Sequence, residues 1–188
     1  GAGFGATTGQ VKGGIGSASS VLSNGVIVGA LVIVNAMGNV IDPVSGKFWA
    51  APFELENEFG GYGAPGDAIY GSALKYSKIN SIKDGANSTI GIVATNATIT
   101  KSEAKRVATC AHDGLSRAIV PSHLPYDGDL IFSVSTGELN IIFSNEEFAE
   151  LCHLSSVTMS RAIARAVYHA SSNENDTMKC FQDKYETI

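Results

Sequence analysis

The sequence predicts a layered fold in which α-helices pack against a β-sheet. Two segments, 26–34 and 90–94, are short, apolar and largely β-branched, which is typical of buried strands. A further strand is expected at 130–135, and helices are expected over 101–115 and from 145 onward. Because helices follow core strands along the chain, layers with a sheet inside are the arrangement that buries both kinds of element.

The first predicted strand, 26–34, follows the hairpin-type dipeptide Asn24-Gly25. It is apolar throughout, so we expect a central strand that is covered on both faces. Asn35 comes directly after it, and a polar amide at the end of a buried strand needs a partner or a function. An Asx-type turn into the residues that follow is the simpler explanation of Asn35.

Residues 1–20 are rich in glycine and serine. So many glycines indicate backbone that lies close to other backbone or to a ligand. A nucleotide-binding loop does not fit, because the spacing is not GxxxxGK[ST] and no strand precedes the glycines. We therefore expect no phosphate site in this segment.

Ser88 lies where a polar turn at 83–87 enters the strand that contains residues 90–94. The residues between 36 and 87 are loop-like, and a connection of this length is usually functional or mobile. A hydroxyl at this junction is held by the strand and lies next to its own upstream peptide bond. A polar cap of the strand is the simpler explanation, and Thr89 offers a second hydroxyl.

A capping box at Thr100–Glu103 predicts the start of the first long helix, and 145–147 predicts the start of the second. Asp127-Gly128-Asp129 ends the irregular loop between them, immediately before the strand at 130–135. A turn explains this acidic pair most simply. The spacing is not that of an EF-hand, so we expect no calcium.

These strand ends suggest acyl-transfer chemistry in one cleft. Cleavage before Ser88 would free an α-amino group of pKa about 7.7–8.0, which can serve as the base for the adjacent hydroxyl. The Asn35 amide is a candidate oxyanion donor. Asp127 and Asp129 can share a proton or orient the amine.

Composition excludes several other classes of function. The net charge is −5 with a pI of about 5.3, and Lys and Arg form no cluster, so we expect no nucleic-acid partner. The three cysteines and four histidines show no disulfide or metal spacing, so we expect no metal and no cofactor. The longest apolar run, 26–34, is too short to span a bilayer, and no signal peptide is visible. We therefore expect a cytoplasmic protein without membrane contact. The chain starts without Met, which predicts a fragment or a processed chain.

The sequence resembles the self-processing peptidases that include L-aminopeptidase/D-esterase, β-peptidyl aminopeptidases and the nylon-oligomer amidase. The segments that carry the resemblance are GAGFGATTGQVKGGIGSAS at 1–19, VGALVIVNAMG at 28–38, NSTIGIVATNA at 87–97, and KRVATCAHDGLSRAI…PYDGDLIFSVSTG within 105–137. The resemblance implies an α+β fold, the αββα four-layer sandwich of N-terminal-nucleophile-like hydrolases, here without its N-terminal part. It also implies a single domain, 1–188, that self-cleavage divides into 1–87 and 88–188.

Carried over by position, the resemblance assigns a role to each matching residue. Ser88 is the nucleophile and Asn87 precedes the cut, while Asn35 stabilises the oxyanion. Asp127 and Asp129 match the acidic pair of the amidase branch; in the aminopeptidase branch a serine often stands at the first of these positions. We assign Lys12, in the KGGIG segment, to substrate binding.

The implied function is a self-processing hydrolase that releases N-terminal residues from peptides or cleaves small amides, assembled as a homo-oligomer. Two alternatives stay open. An acyltransferase similar to the ornithine acetyltransferases would pass the acyl group to glutamate instead of water. A truncated domain without activity would serve as an interaction module.

Overall fold

The computed structural model describes residues 1–66, 72–81 and 87–185. Its strands are β1 (Gly14–Val21), β2 (Ile27–Asn35), β3 (Ser88–Ala97) and β4 (Leu130–Leu139), and its α-helices are α1 (Ser72–Lys75), α2 (Lys101–Ala118), α3 (Asn145–Tyr168) and α4 (Phe181–Tyr185). Short 3₁₀ helices lie at Ala51–Phe53 and Lys78–Ser81. Most of the turn predicted at 83–87 falls outside the described residues.

The four strands form one sheet in the order β1-β2-β3-β4. β1 pairs antiparallel with β2, β2 pairs antiparallel with β3, and β3 pairs parallel with β4. The turn between β1 and β2 contains Gly25 at a φ of 83°, as the Asn-Gly signal predicts. β2 is thus an inner strand, and its last residue, Asn35, lies directly opposite Ser88 on β3.

Both long helices begin where the sequence predicts, and a capping box, predicted only for the first of them, is present at each start. The Thr100 hydroxyl accepts a hydrogen bond from the Glu103 backbone N–H while the Glu103 carboxylate accepts one from the Thr100 N–H. Ser144 and Glu147 make the same reciprocal pair at the start of α3. α2 packs against β3 and β4, and α3 packs against β1 and β2, so both helices cover the same face of the sheet.

The glycines near the start of the chain allow β1 to lie directly on α3. A Cβ added to Gly16 would lie 2.1 Å from the Ala162 carbonyl oxygen, and one added to Gly14 would lie 2.7 Å from that of Ala166. These distances confirm the predicted close approach of backbone to backbone. The strand itself was not predicted.

The second face of the sheet is apolar and exposed in the described residues. We call it the open face, and its members are Ile15, Ile27, Leu31, Ile90, Ile92, Leu130, Phe132 and Val134. The expectation that β2 is covered on both faces is therefore wrong for this structure, since Leu31 is 46% exposed. An apolar sheet face of this kind is typical of the inner side of a two-sheet sandwich. The predicted α+β class is confirmed.

No helix in the described ranges is long and apolar enough to cross a membrane.

Candidate active site

Strand alternation separates the two adjacent hydroxyls at the start of β3. Thr89 is fully buried on the side of the sheet that the helices cover, and no hydrogen-bond partner among the described residues reaches its Oγ1. Ser88 is only partly buried and points to the other side, as Ile90 does. The alternation of side chains along β3 therefore makes Ser88, and not Thr89, the accessible hydroxyl.

The peptide bond before Ser88 is held at its carbonyl oxygen. Ser88 Oγ donates a hydrogen bond to the Asn87 oxygen at 2.6 Å, and the Gly128 backbone N–H donates to the same oxygen at 3.0 Å. A Cβ added to Gly128 would lie 2.5 Å from Ser88 Oγ, so a glycine is needed for this approach. The hydroxyl and a fixed backbone donor thus converge on one carbonyl group.

The Asn35 side chain is oriented by its oxygen. Oδ1 accepts from the Thr7 backbone N–H at 3.1 Å and from Lys78 Nζ at 3.3 Å. With the oxygen engaged in this way, the amide NH₂ is directed to the other side of the side chain. This is the group that an oxyanion donor has to present.

Lys78 is a further residue of the site, and the sequence did not predict it. Its ammonium also donates to the Thr7 carbonyl oxygen at 2.7 Å, and its backbone N–H donates to the Met37 oxygen at 2.9 Å. Burial lowers the pKa of Lys78 to about 8, and attraction to the Asp127 carboxylate opposes that shift. Lys78 lies in a loop-like segment without periodicity, so no sequence pattern marked it.

Asp129 ties the start of β3 to the loop before β4. Its Oδ1 accepts from the Thr89 backbone N–H at 3.0 Å, and its Oδ2 lies 2.9 Å from His123 Nδ1. The carboxylate is 3% exposed, while the His123 side chain is 40% exposed. The spacing of the four histidines did not mark His123, because its partner Asp129 becomes apparent only in the fold.

Asp127 is the proton-holding member of the acidic pair. Burial and, after it, the neighbouring Asp129 carboxylate together raise the pKa of Asp127 to about 6. The Met37 backbone N–H and His123 act in the opposite direction, but more weakly. Asp127 therefore changes protonation close to neutral pH, which suits a group that exchanges protons.

Lys12 is held away from these groups by a different partner. Its ammonium pairs with Asp176 and lies 5.1 Å from the centre of the Phe4 ring. The structure thus gathers Asn35, Ser88, Asp127 and Asp129 around one end of the sheet, where Lys78 and His123 join them. The assignment of Lys12 to substrate binding stays a prediction.

Within 1–66, 72–81 and 87–185, no three His, Cys, Asp or Glu side chains are grouped so that they could hold a metal ion.

Solved structures share this fold. A β-aminopeptidase from a Burkholderia species aligns with a TM-score of 0.59 and 20% identity, over 96% of this chain and 49% of that chain. The L-aminopeptidase D-Ala-esterase/amidase of Ochrobactrum anthropi, described as a variant of the Ntn hydrolase fold, aligns with a TM-score of 0.52 and 21% identity, over 94% and 46%. The fold is therefore that of the Ntn-type aminopeptidases.

Sequence comparison names the family. The model of peptidase family S58 matches residues 1–180, so the chain belongs to that family. An uncharacterised aminopeptidase of Mycobacterium tuberculosis is 42% identical over 141 residues, which cover 75% of this chain and 40% of that protein. A 6-aminohexanoate-oligomer endohydrolase of an Agromyces species is 30% identical over 64 residues, or 34% and 18%. The chain spans about two fifths of the length of the mycobacterial relatives.

Proposed function

We propose that this protein is a self-processing hydrolase that acts on peptides or small amides through an acyl-enzyme on an N-terminal serine, Ser88. The observation that carries the proposal is the 2.6 Å hydrogen bond from Ser88 Oγ to the carbonyl oxygen of its own upstream peptide bond. Membership of a peptidase family supports the hydrolase class.

In the processing step, Ser88 Oγ attacks the Asn87 carbonyl carbon. The oxyanion that forms stays on the oxygen that already accepts from the Gly128 N–H at 3.0 Å, which stabilises the charge without rearrangement. The C–N bond then breaks, and the hydroxyl proton ends on the Ser88 nitrogen. Water hydrolyses the resulting ester, which leaves Asn87 with a carboxylate and Ser88 with a free α-amino group.

In turnover, the free α-amino group takes the proton of Ser88 Oγ as the oxygen attacks the substrate carbonyl. The Asn35 amide donates to the new oxyanion, and the leaving amine receives the proton. Water then hydrolyses the acyl-enzyme. Asp129 holds the backbone next to the nucleophile through the Thr89 N–H. Asp127 precedes Gly128, whose N–H donates to the Asn87 oxygen, and serves as a proton acceptor.

Four further predictions go with this proposed function. The cut divides the chain into 1–87 and 88–188, the protein works as a homo-oligomer without a cofactor, and it resides in the cytoplasm.

N-terminal sequencing and intact mass of the full-length protein test the nucleophile. We expect one subunit to start at Ser88, and we expect Ser88→Ala to give a single uncut and inactive chain. Ser17→Ala, an exposed serine on β1, is the matched control and should process normally. A subunit that starts at Thr89, or an active enzyme without any cut, would refute the assignment.

A further inference from the structure

We infer that Lys78 is a positioning residue that holds the Asn35 side-chain amide with its NH₂ group directed at the reacting carbonyl. The inference rests on the proposed function, in which Asn35 is the oxyanion donor of turnover. It adds a group that no motif in the sequence marks and that acts through Asn35.

The segment that carries Lys78 is fixed against the residues that follow β2. The Lys78 backbone N–H donates to the Met37 carbonyl oxygen at 2.9 Å. The Tyr76 carbonyl oxygen accepts from Asn39 Nδ2 at 3.2 Å and from Gln10 Nε2 at 3.3 Å. These bonds place the lysine stem beside the end of β2, where Asn35 lies.

The contacts at Asn35 Oδ1 select one of the two amide orientations. Among the described residues, the neighbours of this oxygen are the Thr7 N–H and Lys78 Nζ, and both are hydrogen-bond donors. If the amide were flipped, its NH₂ group would face a cation and an N–H, and neither can accept a hydrogen bond. The lysine and the backbone together therefore keep the donor side of Asn35 turned away from Thr7 and Lys78, at the strand end where Ser88 is the residue opposite.

The charge of Lys78 also strengthens the donor. A cation on the amide oxygen draws electron density from the amide nitrogen, so its N–H bonds become better donors to a developing oxyanion. Asp127 faces Lys78 from the loop before β4, and Lys75 and Tyr76 lie on its own segment. Because burial lowers the pKa of Lys78 to about 8, this support is present below that pH and is lost above it.

The test compares Lys78→Met, Lys78→Arg and the control Lys75→Met in the full-length protein, with kcat and KM measured across pH. We expect Lys78→Met to lower kcat about 10-fold with KM changed much less, a smaller loss than removal of an oxyanion donor. Lys78→Arg should keep most of kcat and should stay active to higher pH, because a guanidinium remains charged there. Lys75→Met, on an exposed position of α1, should behave like the wild type.

The double variant Asn35→Ala/Lys78→Met separates positioning from a merely structural role. If Lys78 acts through Asn35, the second change should cost little once Asn35 has been removed. A full additional 10-fold loss would overturn the inference, and so would a wild-type kcat in Lys78→Met. If Lys78→Met does not fold, an alkaline limb that is unchanged in Lys78→Arg overturns it instead. Activity in Ser88→Ala, by contrast, would defeat the proposed function itself.

Discussion

Gly128→Ala should block self-processing while the protein still folds. Gly128 N–H donates to the Asn87 carbonyl oxygen, and Ser88 Oγ occupies the space where a side chain at position 128 would begin. An alanine Cβ would stand 2.5 Å from that Oγ and 3.4 Å from the Asn87 oxygen. The added methyl group therefore displaces the attacking atom in preference to the carbonyl.

The distances give the size of the effect. Nonbonded carbon and oxygen atoms settle at about 3.5 Å, so the hydroxyl or the loop has to move by about 1 Å. A misplacement of that size in a reacting geometry costs about 10²-fold in rate. The overpacking itself should lower the free energy of unfolding by only about 1–3 kcal/mol.

The assay follows the appearance of the subunit that starts at Ser88, by intact mass at a series of times after synthesis of the full-length protein. Circular dichroism of the same samples establishes that the variant is folded. Gly5→Ala is the matched control, because a Cβ there meets nothing within 4 Å in the described part of the chain. Processing of Gly128→Ala at the wild-type rate would show that the observed contact is not the reacting geometry.

Two further variants test the roles of the polar groups. Asn35→Ala should lower kcat by about 10²–10³, with little change in thermal midpoint, because it removes a transition-state donor; equal loss of folding and activity would mark Asn35 as structural instead. Asp127→Asn should be more stable than the wild type at pH 7 by about 2 kcal/mol, because the raised pKa corresponds to about 3 kcal/mol and solvent screening of this partly buried carboxyl reduces that figure; the advantage should vanish by about pH 4. Stability of the wild type should fall as pH rises from about 4 to 6, because Asp127, with its pKa raised to about 6, holds its proton more tightly in the folded state than in the unfolded chain. Thermal melts at the two pH values check this, with Asp113→Asn on α2 as the exposed control, and a gain that does not depend on pH would contradict the burial argument.

The sequence predicted those elements whose stabilising interactions lie within a few consecutive residues. The capping box at Thr100 and the hairpin dipeptide before β2 describe interactions within a few residues, so the sequence alone exposes them. The strand β1 was not predicted because Gly14–Val21 shows little alternation of apolar and polar residues. Its extended form comes from pairing with β2 and from close contact with α3, which are both distant in sequence.

The same distinction applies to the site. Ser88, Asn35 and the acidic pair stand at strand ends, which patterns can locate. Lys78 belongs to the site because it contacts Asn35, which is 43 residues away in the sequence. His123 belongs to it because a short loop brings its ring onto Asp129. No periodicity records such contacts, so only the folded structure could supply these two residues.

The register between β2 and β3 has a consequence for the cleaved protein. Eight residue pairs, from Val28 opposite Thr95 to Asn35 opposite Ser88, would join two separate polypeptides after the cut. α3, on the second piece, also covers β1 and β2 on the first. Loss of the one peptide bond would leave the strand pairing and helix packing of the native state unchanged. Refolding, however, would become a bimolecular reaction whose rate depends on protein concentration. After the cut, the persistence of the native protein would therefore be governed by its unfolding rate, whereas the uncut chain can refold as a single molecule.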